Sequence, residues 1–227
     1  WAVAGGLGQI LATICVVALF RLRHFAVGIT FKKSEVLQTA LLGWLVLGEG
    51  LRPAALVCVA AGTAALVILS APPGEALRLR ALGNRAAALG LLSGAFFALA
   101  GVGYRGATLA LDGPAPFRAA VALACVTAMQ TAAMAVWLIW RDRAEARRVL
   151  AAWRPGLAVG LASLAGSFGW FVAFALQTAA LVYALGQVEL VFSMIGGALI
   201  FGERLARREV VGILILMASL VALVLVA

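Results

Sequence analysis

Six side chains that can carry a charge or form hydrogen bonds cluster at positions 32–39 of one apolar stretch, residues 25–47. They are Lys32, Lys33, Ser34, Glu35, Gln38 and Thr39. If this stretch is a membrane helix rising about 1.5 Å per residue, Lys32 lies roughly 12 Å from its start, near the middle of a hydrocarbon core about 30 Å thick. An ionised side chain at that depth costs about 2.5–3.5 kcal/mol. We therefore expect both lysines to face a wet cavity or a counter-charge.

Three arrangements would satisfy these lysines. We predict a polar binding or translocation site; the alternatives are a buried ion-pair network that only holds helices together and a shifted boundary that lets both lysines reach the headgroups. The Glu35 carboxylate would bind a substrate amine, pair with a lysine or exchange a proton. The sequence leaves these roles open.

The composition defines the class of protein. Of 227 residues, 65% are apolar and 12% charged, whereas soluble domains are about 45–50% apolar and about 25% charged. This excludes a soluble enzyme, a disordered chain and a collagen-like chain. The net charge of +9 does not indicate nucleic-acid binding, because the arginines lie at or near the ends of apolar segments, where headgroups or water would meet them. We predict an integral membrane protein in contact with lipid.

Eight apolar segments are long enough to cross a membrane as helices: 2–20, 25–47, 53–70, 86–110, 117–140, 156–176, 179–201 and 208–227. Their apolar runs are continuous, so the alternating pattern of a membrane β-barrel is absent. The predicted fold class is an all-α, polytopic helical membrane protein.

An internal repeat relates the two parts of the chain. A shift of 154 positions places Phe31–Glu35 on Leu185–Glu189 and Gly48-Glu49 on Gly202-Glu203. Residues 86–140 contain two further spans that have no counterpart before residue 1. We therefore expect an intact protein of five plus five helices, whose first two are absent from this sequence. Residues 1–70 would then be the last three helices of the first repeat and 86–227 the complete second. An odd number of spans per repeat implies opposite insertion.

The repeat also pairs the candidate site residues. Lys33 matches Gln187, and Glu35 matches Glu189. Gln9 and Thr13, four residues apart on one helix face, match Ser163 and Ser167, and Trp170 continues that face.

The predicted substrate-binding set is Lys32, Lys33, Glu35, Gln38, Gln187, Glu189, Gln9, Thr13, Ser163, Ser167, Trp170 and Ser193. The alternative for each serine or threonine is a bond to its own helix carbonyl, and the other aromatic residues are interpreted as packing. Glu49 and Glu203 are interpreted as helix caps.

The basic residues predict the orientation. Alternating sides of the eight spans receive thirteen and three arginines, and the richer side is expected to be cytoplasmic. The C-terminus would then be periplasmic.

No cofactor or metal site is predicted, because the chain has one histidine, His24, and no H-E-x-x-H or G-x-S-x-G motif.

The segments Phe31–Leu51 and Leu185–Leu205, each an apolar helix with an internal Glu that closes on Gly-Glu, resemble the EamA-type transporters of the drug/metabolite transporter superfamily. The resemblance implies ten helices in two inverted halves, a bacterial inner-membrane location and export of small metabolites, often amino acids. The aromatic amino-acid exporter branch is one candidate within that family.

We therefore predict a secondary transporter that exports a small molecule, most simply an amino acid, by alternating access, and not an enzyme. Proton coupling and passive facilitated diffusion are both open. The alternatives are a membrane-embedded enzyme acting on lipid or peptide, and an exporter of another solute class, such as a drug, a nucleoside or a sugar.

Overall fold

The computed structural model describes residues 1–22, 29, 31–70, 85–189, 191–192, 195–196 and 207–226, with the side chains of 66–70 and 208–209 left aside. All regular structure within these ranges is helical. The nine helices in this part of the chain are α1 (Ala2–Phe20), α2 (Glu35–Leu47), α3 (Pro53–Ser70), α4 (Arg85–Leu109), α5 (Ala115–Arg141), α6 (Arg143–Ala151), α7 (Trp153–Leu176), α8 (Ala179–Gly186) and α9 (Arg207–Val226).

Four of these helices, α1, α4, α5 and α7, are long and apolar enough to cross a membrane by length and composition. Much of their apolar surface is exposed; Val159 of α7 is 67% exposed. Their bounds agree with the predicted spans to within a few residues. Ser193 and the matched pair Gly202-Glu203 lie outside the described residues, as does His24.

Helices α1 and α4 pack against each other at backbone distance. Glycine makes this possible: a Cβ atom added at Gly103 would lie 2.6 Å from the Cα atom of Gly5, and one at Gly8 would lie 2.9 Å from the carbonyl oxygen of Phe96. Small residues permit such close approach between helices. The glycines therefore let α1 and α4 approach at backbone distance, and the rings of Tyr104 and Trp1 pack against Gly5 and Gly106.

Helices α3 and α9 also pack together, and they run antiparallel. Val59 lies in one core cluster with Leu223, while Ala65, further along α3, lies in another with Leu216, which comes earlier in α9. Residue numbers thus rise along one helix as they fall along the other. A shift of 154 positions carries Pro53, the first residue of α3, onto Arg207, the first residue of α9.

Two predicted spans, 25–47 and 179–201, are interrupted at equivalent positions. Lys33 and Ser34 form a turn before α2 begins at Glu35, and the Ser34 amide donates to the carbonyl of Phe31, three residues back, at 3.1 Å. Gln187 forms a turn after α8 ends, and its amide donates to the carbonyl of Ala184 at 3.2 Å. The chain is helical on both sides of each turn, at residues 31–32 and from 35 in one span and at 186 and 188–189 in the other, so each predicted span contains an irregular turn within the described residues.

Helix α6 was not predicted. Asp142 caps its N-terminus by accepting from the amides of Ala144 and Glu145, each at 3.0 Å, and none of its nine residues is buried. A search for long apolar segments overlooks a short, charged helix of this kind, which is stabilised by its cap and by end charges.

We expect Gly103→Ala to destabilise the protein by about 1–3 kcal/mol, because the added methyl meets backbone that cannot rotate away. Gly43→Ala is the matched control: this glycine is also buried in a helix, but its added Cβ would lie 3.9 Å from the nearest neighbouring atom, Cγ2 of Val102. Unfolding of the purified protein in detergent measures both. Equal stability of the two variants would contradict the tight α1–α4 contact.

Candidate functional site

Four of the predicted site residues form a buried polar network between α2 and α8. The Lys33 Nζ atom donates to Oε1 of Gln187 at 2.9 Å, and Nε2 of Gln187 donates to Oε1 of Glu35 at 3.3 Å. Lys32 completes the network, its Nζ atom 2.9 Å from Oε2 of Glu35. Only 9% of Lys33 and 5% each of Glu35 and Gln187 are exposed.

The helix breaks place these groups. Lys33 lies in the turn before α2, and Glu35 lies in the first turn of α2, where a carboxylate is favoured by the positive end of the helix dipole. Gln187 directly follows α8, and both ends of its amide form hydrogen bonds. Its Oε1 atom accepts from Lys33, and its Nε2 atom donates to Glu35 and, at 3.3 Å, to the carbonyl of Tyr183. The space beside Gln187 measures only about 10 Å³, roughly enough for one water molecule. This small space lies among α2, α3, α8 and α9, and Gln187 is the one network residue in its lining.

A larger cavity lies among α1, α4, α5, α7 and α8. We call it the central cavity; its volume is about 240 Å³. Six aromatic rings form most of its wall: Phe97, Tyr104, Trp170, Phe171, Phe174 and Tyr183. The polar side chains in the wall are Gln9, Thr127, Gln130 and Ser167.

Two amides and one phenol form a hydrogen-bonded cluster on the cavity wall. Tyr104 donates its hydroxyl to Oε1 of Gln9, and Nε2 of Gln130 donates to the same oxygen at 2.9 Å. Gln130 also donates to the Gly6 carbonyl at 3.2 Å. Among the described residues, Nε2 of Gln9 and Oε1 of Gln130 have no hydrogen-bond partner. The cluster thus presents a free donor and a free acceptor.

The aromatic rings contact one another along the wall. The centroids of Tyr104 and Phe171 are 4.7 Å apart, and Phe174 meets Tyr183 edge to face at 5.6 Å. Trp170 lies 6.0 Å from Tyr183. Such tilted and edge-on pairs are the arrangements that aromatic quadrupoles favour, so the wall is already ordered without a solute.

The same wall separates the cavity from the charged network. Tyr183 lines the cavity with its ring, while its carbonyl accepts from Gln187. Behind Phe97, the Nζ atom of Lys32 lies 4.6 Å from the ring centroid. No charged side chain belongs to the cavity lining in the described part of the chain.

Two arginines close one end of the bundle. Arg105 pairs with Glu49, with 2.7 Å between Nη2 and Oε1, and its Nη1 atom donates to the Phe174 carbonyl at 2.8 Å. Arg118 donates to the Ala175 carbonyl at 3.1 Å. The last carbonyls of α7, which have no partner within the helix, are thereby satisfied. Glu49, predicted to be only a helix cap, joins the segment after α2 to α4.

The structure divides the predicted site into separate places. Gln9, Ser167 and Trp170 line the central cavity, whereas Lys32, Lys33, Glu35 and Gln187 form the network.

The other predicted site residues belong to neither place. Gln38 donates to Oγ of Ser34 at 2.7 Å, and Thr13 donates to the Gln9 carbonyl of its own helix at 2.8 Å. Ser163 and Glu189 are exposed outside the cavity, and Ser193 lies outside the described residues.

Sequence reasoning missed most of the cavity wall. Phe97, Tyr104, Phe171 and Tyr183 were interpreted as packing residues, and Gln130 was left unassigned. One signal was available on α7, where Ser167, Trp170, Phe171 and Phe174 recur at intervals of three and four residues and therefore share a face. An amide inside an apolar span, as at Gln130, was a second signal.

Comparison with known proteins identifies the fold but no family. No family model and no curated protein matches the chain. Six chains among solved structures match it. One of them, named only "Crystal structure of protein", superposes with a TM-score of 0.69 at 17% identity, over 99% of this chain and 77% of that chain. At this identity the likeness shows a common fold and carries no information about activity.

We expect Gln187→Leu to lower stability by about 1–3 kcal/mol or more, because it leaves the buried Lys33 ammonium without its acceptor. Adding Lys33→Met should recover most of the loss, since no unpaired charge remains. The exposed Gln177→Leu serves as the matched control. Detergent unfolding of the original protein, Gln187→Leu, Lys33→Met and the double variant forms a double-mutant cycle, and additive losses would contradict a coupled network.

Proposed function

We propose that this chain is an integral membrane protein of the EamA type that exports a small metabolite as a secondary carrier, without chemical change to it. The observation that carries the proposal is the central cavity of about 240 Å³, which polar and aromatic side chains line within an otherwise apolar bundle. Next to it, the Arg105–Glu49 pair is anchored to the carbonyl of the lining residue Phe174. Ligand sites between the helices of a bundle commonly have this form.

The exposed surface supports a membrane location. Leu157, Val159, Leu161 and Leu164 are each about half or more exposed on α7, and the four long apolar helices have the length of the hydrocarbon core. Exposure of these apolar faces to water costs free energy, whereas in a membrane lipid tails cover them. With thirteen of the sixteen arginines on one side, the inner membrane of a bacterium and a periplasmic C-terminus are the proposed setting.

Three observations support an inverted repeat. Lys33 and Gln187, which are 154 positions apart, are in direct contact; α3 and its counterpart α9 pack antiparallel; and equivalent spans are broken at equivalent points. A two-fold axis perpendicular to the helices would explain all three. Residues near the axis would meet their counterparts, and each helix would run antiparallel to its counterpart. Such repeats with broken helices are typical of secondary carriers, whose binding sites lie near the midplane.

The Arg105–Glu49 pair is proposed to act as a gate. It joins the segment after α2 in the first repeat to α4 in the second, and Arg105 also contacts the end of α7 beside the cavity. Alternating access requires that one end of the cavity be closed while the other is open. With the Arg105 end on the periplasmic side, the closed gate leaves the cavity to be loaded from the cytoplasm, which is the direction of export.

The carrier proposal is tested by counterflow in proteoliposomes containing the full-length protein. We expect exchange of a small solute that saturates and leaves the solute chemically unchanged, and Trp170→Ala to reduce it about tenfold or more by removing a cavity wall. Imposed pH gradients distinguish proton coupling from facilitated diffusion. Chemical conversion of the solute would indicate an enzyme instead.

We expect Glu49→Gln to open the periplasmic end, because Arg105 loses its counter-charge. In a variant with Cys15, Cys58 and Cys125 replaced by alanine, a cysteine introduced by Ser167→Cys reports access to the cavity from each side of the membrane. Labelling from the Arg105 end should increase several-fold in Glu49→Gln and return toward the original rate in the exchanged pair Glu49→Arg with Arg105→Glu. Unchanged labelling would contradict the gate.

A further inference from the structure

The charged groups nearest to the central cavity are already paired; at one end of it, Arg105 is bonded to Glu49 at 2.7 Å. Lys32 reaches the back of Phe97, but its ammonium is bonded to Glu35 at 2.9 Å. Lys33 is bonded to Gln187 behind Tyr183. A solute inside the cavity therefore meets aromatic faces, amides and hydroxyls, with the ammonium groups on the far side of the wall.

This wall is poorly suited to a zwitterion. An amino acid that enters the cavity must lose water from an ammonium and a carboxylate, and burial of an ion without a partner is far more costly than burial of a neutral polar group. Within the described lining, neither charge would meet an opposite charge. An uncharged solute avoids this cost.

The same wall offers specific contacts to a neutral aromatic molecule. Trp170, Phe171 and Tyr104 present rings that can stack or meet an aromatic solute edge-on. The Gln9–Gln130 cluster presents one free amide N–H group and one free carbonyl oxygen, and the Ser167 hydroxyl lies in the same lining. The solute that satisfies both sets has an aromatic ring together with a donor and an acceptor, as in an amide or a nucleobase edge.

The size of the cavity limits the solute further. A cavity of about 150 Å³ holds benzene, so a volume of about 240 Å³ suits one or two rings with a short polar substituent. We infer that the central cavity binds an uncharged aromatic solute of this size, bearing hydrogen-bonding groups, in preference to a zwitterionic amino acid. This inference rests on the proposed carrier function and adds the substrate class to it.

A series of phenylalanine derivatives tests the charge preference with one ring. N-acetylphenylalaninamide is neutral, phenylalanine is zwitterionic, phenylalaninamide is cationic and N-acetylphenylalanine is anionic. Binding to the purified full-length protein is followed by its tryptophan emission, excited where these compounds do not absorb. We expect the neutral compound to bind at least about tenfold more tightly than each charged one, because only the charged ones lose ionic hydration.

Variants assign the binding to the central cavity. Gln9→Leu should weaken binding of the neutral compound about threefold to tenfold, because it removes the hydrogen-bonding amide, and Trp170→Phe should remove most of the emission change. Gln177→Leu, an exposed glutamine at the end of α7, is the matched control and should leave binding unchanged. Equal effects of Gln9→Leu and Gln177→Leu would overturn the assignment to this cavity.

Counterflow of the same compounds separates this inference from the carrier proposal. Exchange of the neutral compound supports both. Exchange and tighter binding of phenylalanine or of either ionic derivative would overturn the substrate class while supporting a carrier. Tight binding of the neutral compound without exchange would support the substrate class and count against transport. Absence of binding by every compound in the series would overturn the inference, whatever other solute is exchanged.

Discussion

The hydrogen bond between Lys33 and Gln187 is the constraint on which the rest of the arrangement depends. A lysine in an apolar interior must be given an acceptor, and here the acceptor is Gln187, 154 positions further along the chain. Both residues lie in short turns, and the chain is helical on either side of each turn. Glu35 and Lys32 then complete a network in which the polar atoms largely satisfy one another. Satisfied networks of this kind make a buried region rigid and unique.

One result of this network is that the charged side chains lie apart from the cavity that a solute could occupy. The ionic groups, which sequence analysis places in the binding site, are bonded within the network and do not line the central cavity. The accessible space lies on the other side of Phe97 and Tyr183, where the wall is aromatic and amide-bearing. In the proposed carrier, charge therefore organises the helices, while neutral side chains contact the solute. The two functions are carried by neighbouring layers of side chains.

Much of the fold could be predicted, because span length and apolar composition determine where long helices lie. The bounds of α1, α4, α5 and α7 follow from this, and so does the placement of Gln9, Ser167 and Trp170 on inward faces. The breaks at Lys33 and Gln187 could not be predicted, since each depends on a partner that is distant in the sequence. Tyr104 and Tyr183 were missed for a similar reason: whether an aromatic ring packs in a core or lines a cavity depends on an absence of neighbours, which composition does not encode.

The glycine contact between α1 and α4 has a consequence for how such a molecule can move. At Gly5 and Gly103 the main chains of the two helices touch, with no side chain of these two residues in between that could change rotamer. Because backbone atoms cannot move aside by changing rotamer, this contact resists sliding of α1 past α4. In the proposed carrier, a change of shape that exposes the cavity to either side is therefore easier at boundaries formed by flexible side chains than at this one.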